Sequence, residues 1–196
     1  SARLVLVMNA LFRSLPAGPT RRKLTGADAE AILAAAGEDR VKGLELIDGD
    51  LIQMPAEGDL HSNLKAKLIV FLARALPPGV WLGPDVPLKL SEVDQPEPDV
   101  FLFPEGLRTF QVRGPDALLV IEIGVSSLAY DLADKAELYA RHGVREYWVI
   151  DPAAARTHVH RGPEGVRWTQ VSAIGAAQTI NPQALESLNF RLSDLL

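Results

Sequence analysis

Cysteine is missing from this 196-residue chain. Its absence excludes disulfides and thiolate metal sites, so a metal would have to be held by carboxylates, carbonyls or imidazoles. It also agrees with a reducing compartment, and a cytoplasmic location is the expectation. No apolar run approaches the about 20 residues of a transmembrane helix, so no membrane partner is expected. The opening stretch SARLVLVMNALF has one Arg and a short apolar run, but no small-residue cleavage pattern precedes Pro16, so it does not read as a signal peptide. Positive charge is in deficit: 20 Lys and Arg stand against 25 Asp and Glu, a formal net charge of −5. This balance gives no global attraction to polyanions, which would need a local basic patch or an acidic site neutralised by an ion. There is no Gly-rich P-loop, dinucleotide fingerprint, GxSxG elbow or HExxH pair, and no internal repeat or low-complexity tract.

What is present is an ordinary globular composition, 47% hydrophobic and 23% charged, long enough for one full core. Residues 1–24 read as a leader or arm, ending in the basic run Arg21-Arg22-Lys23, and residues 25–196 as one domain. ADAEAILAAAG is a short Ala-rich helix stopped by Gly37. In LELIDGDLIQM, Asp48-Gly49 between two apolar runs signals a hairpin. Residues 60–76 place Leu60, Leu64, Leu68, Phe71, Leu72 and Leu76 at helical spacing, with Asp59 as N-cap and Pro77-Pro78-Gly79 as the stop. VWLGPDVPLKL, broken by prolines, reads as an edge strand or irregular pair. PDVFLFP, ALLVIEI (117–123) and REYWVIDP read as strands, the second apolar enough to be buried on both faces. A helix, DLADKAELYARHG, separates the last two, and THVHR and VRWTQV follow as a meander. The order predicts a mixed α/β (α+β) domain with a central mixed sheet flanked by helices.

Three charges fall where a core is expected. Glu122 lies inside ALLVIEI, where an unpaired carboxylate costs on the order of several kcal/mol and so needs a cation or metal partner. Asp99 opens another apolar strand directly after Pro98, and if the two strands are neighbours both carboxylates meet at one edge of the sheet. Lys135 shares the packing stripe of its helix with Leu132, Ala136 and Tyr139. Two carboxylates and a lysine suit phosphodiester hydrolysis: the carboxylates hold Mg²⁺ or a similar hard ion, and the lysine orients or helps deprotonate the attacking water and stabilises negative charge. Blander readings stand beside these. Asp99 serves as a turn residue, Glu122 and Lys135 form a structural salt bridge, or Lys135 extends to solvent along its stem.

The segments LELIDGDLIQM, PEPDVFLF and LLVIEIGVSSLAYDLADKAELYARHGVREYWVIDP together resemble the bacterial Uma-two family of endonucleases, within the PD-(D/E)XK, restriction-endonuclease-like superfamily. The resemblance covers roughly residues 25–160. Its densest part is Glu122 through Asp151, with Ser126-Ser127, Tyr130-Asp131, Lys135 and Leu138-Tyr139 at the family's spacing. It implies a restriction-endonuclease-like core, a Mg²⁺ (or Mn²⁺) cofactor, a nucleic-acid substrate, most simply DNA, and a homodimer. The superfamily's usual lysine, two residues after the acid, is replaced by Gly124, and the family's helix-borne lysine maps to Lys135. Glu45 matches an acidic position implied as a further metal or water ligand, and His61 a position where the family carries histidine. The bland alternatives are a solvent-facing charge for Glu45 and a helix-start residue for His61. Val125 stands where an acidic residue often occurs, which implies either a thinner metal site or a position outside it.

Two rival readings remain at this level. One is an inactive nuclease-fold module that binds nucleic acid or regulates, with a basic patch drawn from Arg21, Arg22, Lys23, Lys65, Lys67 and Arg74. The other is a metal-dependent hydrolase of small phosphates. His158 and His160 alternate on one strand as a possible two-ligand metal site, with exposed strand histidines the simpler account. The apolar C-terminal segment LESLNFRLSDLL and the late strands offer a surface for a dimer.

Overall fold

The computed structural model describes residues 22–36 and 43–196. The apolar opening stretch, most of the expected leader and the Gly37 helix stop lie outside the described residues. Helix α1 (Gly26–Ala36) opens on Thr25, whose backbone N–H and hydroxyl both donate to Asp28. Strands β1 (Leu44–Ile47) and β2 (Asp50–Gln53) form the expected hairpin. Asp48 (φ 48°) and Gly49 (φ 72°) both take the left-handed conformation that a two-residue type I′ turn requires.

Helix α2 (Asp59–Ala75) buries Leu64, Leu68 and Leu72 on one stripe. Its N-cap is Gly58 rather than Asp59; Asp59 sits in the first turn, where its charge meets the positive end of the helix dipole. Leu76 is extended at the C-terminus, as a residue before Pro77 must be.

The main sheet runs β3 (Val80–Pro84), β4 (Val100–Pro104), β5 (Leu119–Ile123), β6 (Glu146–Asp151), β7 (Arg156–Glu164) and β8 (Arg167–Gly175) in spatial order. Every pairing is antiparallel except β5–β6. The proline-broken segment is the edge strand β3, where a missing ladder donor does least harm. The parallel β5–β6 step requires a crossover, and helix α3 supplies it in three pieces: Leu128–Tyr130, a π-helical turn at Asp131–Lys135, and Ala136–Arg141.

Strand alternation divides the core between the faces of the sheet. Val100, Leu102, Leu119, Ile121, Ile123, Trp148 and Ile150 face α2; Phe101, Phe103, Val120, Tyr147 and Val149 pack under α3. The C-terminal segment, read above as a dimer surface, packs instead on its own domain. Leu185, Leu188, Phe190 and Leu192 are buried with Trp148 and α2, so their apolar area is already removed from water. His160, expected to be exposed, is buried against Tyr147 and Trp168, because its strand turns that face inward beneath α3.

Of the basic residues that the binding-module alternative would need, Lys23, Lys65 and Lys67 are committed within the domain. Lys23 is bonded to Asp48, Lys67 donates to the Leu195 carbonyl at 2.7 Å, and Lys65 is buried among carboxylates. Arg21 lies outside the described residues. No helix among the described residues is long and apolar enough to cross a membrane.

Candidate active site

Sheet register brings the first two acids together. Val100 pairs with Ile121 across antiparallel β4 and β5, so the next position outward sets Asp99 against Glu122 on the same face. Directly opposed residues of this kind hold their Cβ atoms about 4.5–5.5 Å apart. The contact is closed by backbone groups: the Ile123 N–H donates to Asp99 Oδ2 at 2.7 Å, and the Asp99 N–H to Glu122 Oε2 at 3.4 Å. Both side chains are buried, as are Glu45 and Lys135.

Lys135 reaches this pair from α3. Asp131 and Lys135, four residues apart on one face, are both buried in this π turn, and π turns recur at functional sites. The Tyr147 hydroxyl takes the Asp131 carbonyl at 3.0 Å, and the Ser127 hydroxyl donates to the Asp131 carboxylate at 2.6 Å. Lys135 Nζ donates to Glu122 Oε1 at 2.9 Å and to Glu45 Oε1 at 3.0 Å, while the Tyr139 hydroxyl donates to the same Glu122 oxygen at 2.9 Å.

Gly124 explains why the lysine comes from the helix. A Cβ there would stand 2.9 Å from the Leu128 Cα and 2.7 Å from its Cδ1, so the chain turning into α3 leaves no room for a side chain. Val125 points to the exposed side and does not line the cleft, so an acid at that position is not part of the cluster.

On the opposite wall, α2 contributes a second group. His61 Nε2 lies 2.7 Å from Asp99 Oδ1. Lys65, one turn further along the same face, donates to Glu57 at 2.6 Å and Asp85 at 2.7 Å, and lies 3.4 Å from Asp99 Oδ1. Glu57, His61 and Asp99 offer ligand atoms all within 4.8 Å of one another. The two walls enclose a cleft of about 70 Å³. Its lining includes the carboxylates of Glu45, Glu57, Glu97, Asp99, Glu122 and Asp131 and the ammonium of Lys135, with the Lys65 ammonium behind Glu57 and Asp99.

The protonation equilibria record this crowding. Burial pushes the Glu122 carboxyl well above its ordinary range; Lys135 opposes the rise, while Asp99, Asp131 and Glu45 add to it. Burial likewise raises Glu45, Glu97 and Asp131. Asp99 moves the other way. Burial works against its charge, but the His61 hydrogen bond and charge outweigh it and lower its pKa, and that of His61 rises in return. Burial also works against the charge of Lys135, yet the carboxylates of Glu122 and Glu45 hold its pKa above the usual lysine value.

All five residues singled out in the sequence, Asp99, Glu122, Lys135, Glu45 and His61, therefore line one cleft. Glu57, Lys65, Glu97 and Asp131 were not recognised there. Lys65 carried a readable signal: with His61, Leu68 and Leu72 it falls on one helical stripe, and a lysine on a packing stripe asks for a partner. Glu57 and Glu97 sit among prolines in loop-like sequence and carried none.

A mixed sheet with paired acids at the border of two strands and a crossover helix over them is the restriction-endonuclease-like fold. The chain belongs to the Uma2 family, described as "Putative restriction endonuclease", whose model matches residues 29–193. Among solved structures it is similar to one described as a putative nuclease from Anabaena variabilis, at 18% identity and a TM-score of 0.64, covering 78% of this chain and 88% of that one. No curated protein matches the chain.

Proposed function

We propose that the protein is a metal-dependent endonuclease that hydrolyses phosphodiester bonds of nucleic acid, with DNA as the substrate. The observation that carries this reading is the imbalance of the cleft, six carboxyl groups in its lining against Lys135 there and Lys65 behind Glu57 and Asp99, in a family described as "Putative restriction endonuclease". Like charges so confined favour a divalent cation, and oxygen donors with one imidazole suit a hard ion such as Mg²⁺ or Mn²⁺. The donor set fits on a further ground. Glu45 Oε2 is buried without a hydrogen-bond partner of ordinary geometry, although the Glu97 backbone N–H approaches that carboxylate closely enough to oppose its rise in pKa.

Asp99 and Glu122 are the ligands proposed, with Glu45 as a further ligand or the acceptor of a bound water, and His61 and Glu57 on the far side of Asp99. When bound, such an ion supplies acidification of water and neutralisation of phosphate charge. Lys135 remains an ammonium, because Glu122 and Glu45 hold its pKa up. Its role is then electrostatic, orienting water and stabilising negative charge on phosphate, rather than removing a proton. Two of its three N–H groups are committed to Glu122 and Glu45, leaving one for the cleft. His61 orients Asp99. The homodimer implied by the family resemblance would need a surface other than the C-terminal segment, and the outer edge of β8 is available.

The test is cleavage of plasmid and single-stranded DNA with Mg²⁺ or Mn²⁺ by the wild type, Glu122→Gln and Lys135→Ala. Metal-dependent cleavage lost in both variants is the expected result. Equal cleavage by the folded variants, or cleavage in the presence of a chelator, would rule the reading out.

A further inference from the structure

Next to the acidic cleft lies a second cavity of about 260 Å³. One wall is Ile52, Met54 and Pro55 at the end of β2, and the other is Ser126, Ala129 and Tyr130 at the start of α3. Met54, Pro55, Ser126 and Ser127 line both spaces, so the cavity opens directly onto the proposed phosphate site. Its volume falls below the about 300–1,000 Å³ of pockets that enclose drug-sized ligands. Its chemistry is an apolar slot beside an aromatic ring, with hydroxyls at the border. Among the described residues neither the Tyr130 nor the Ser126 hydroxyl has a hydrogen-bond partner, whereas the neighbouring Ser127 hydroxyl is committed to Asp131.

We propose that this slot takes one unstacked nucleobase, that of the nucleotide adjoining the phosphate held in the acidic cleft. The proposal rests on the nuclease reading and narrows its substrate. A planar base has two apolar faces for Tyr130 and the Ile52–Met54 wall, and a polar edge for the free hydroxyls. A base inside a duplex is covered on both faces by its neighbours and cannot enter such a slot without leaving the stack. The preferred substrate is therefore single-stranded, or a duplex site where a base is already loosened. Acidic surroundings do not oppose this choice, because the base itself is neutral and the phosphate is met at the cation site.

The test compares deoxyadenosine 5′-monophosphate with 2-deoxyribose 5-phosphate, which carries a hydroxyl in place of the base, titrated against the intact protein in Ca²⁺. The expected result is about ten-fold tighter binding of the nucleotide, within the range of one base stacking on an aromatic ring. Ala129→Trp, an exposed position that would fill the slot, and Tyr130→Ala should each erase most of this difference while leaving the sugar phosphate affinity unchanged. Equal binding of the two ligands to the wild type, or a difference that survives Ala129→Trp, overturns the base slot and leaves the nuclease reading standing. If neither ligand binds with or without Ca²⁺, both the slot and the phosphate site beside it fail together.

Discussion

The two walls of the cleft solve the same electrostatic problem in different surroundings. Each places a buried lysine between carboxylates: Lys65 between Glu57 and Asp85 on the α2 side, Lys135 between Glu45 and Glu122 on the α3 side. The acids partnering Lys65 have side chains 42% and 51% exposed, whereas those partnering Lys135 are 6% and 5% exposed. Water therefore screens the first group and is excluded from the second. The α2 wall is suited to exchange of protons and ions with solvent. The α3 wall is a fixed charge arrangement whose parts cannot be removed singly at low cost.

The sharpest way to break this contrast is Lys135→Met, which leaves Glu122 and Glu45 facing each other without a cation. The expected loss is about 3–5 kcal/mol of folding stability, the usual result of stripping one partner from a buried ion pair, read by urea unfolding without metal. Lys65→Met should cost less, about 1–2 kcal/mol, because Glu57 and Asp85 regain water and buried Asp99 keeps His61 and the Ile123 N–H as partners. The same substitution removes a cation competing for Asp99, so Mg²⁺ affinity should rise in a direct titration. Similar stability losses for the two lysines would show the walls to be equivalent and end the distinction.

The smallest effect expected is on pH dependence. The pKa of His61 in the fold is raised above its ordinary 6.5, so its attraction to Asp99 is fully present below that value and is lost as pH rises through the raised one. Metal-free wild type should lose stability as pH rises from about 6.5 through the raised value, and His61→Gln should flatten that part of the profile. Metal binding should strengthen over the same interval, since an imidazolium beside Asp99 opposes a second cation there and its deprotonation removes that charge. A wild-type profile identical to that of His61→Gln would remove His61 from the exchangeable wall.

Much of this arrangement is legible along the chain because the physical signals are local. Glu122 stands out within five consecutive buried strand residues, and Asp48-Gly49 specifies its own hairpin. Lys135 is readable from helical spacing, although that spacing assumed a regular helix and the turn it occupies is π-helical. The α2 wall was far less legible. Glu57 and Asp85 are separated from Lys65 by 8 and 20 positions and sit in segments with no periodicity, so only folding reveals their pairing. His160 and the C-terminal segment were misjudged for a related reason: alternation marks two faces of a strand, but which face is covered depends on distant elements.

The widened turn at Asp131–Lys135 also constrains how this segment can change length. One surplus residue in a helix rotates everything downstream by about 100° relative to a regular continuation. Deleting any single residue there would restore an unbroken α-helical ladder, and local hydrogen bonding would be improved. The same deletion, made between Asp131 and Lys135, would bring them to three residues apart and change how the turn presents them to the strand that carries Glu122. The side chains on the outer face of the segment, such as Ala133 and Asp134, are exposed, so the length of the segment bears on the cleft more than their identity does. In this stretch the number of residues between Asp131 and Lys135 is part of the site, as much as their identities.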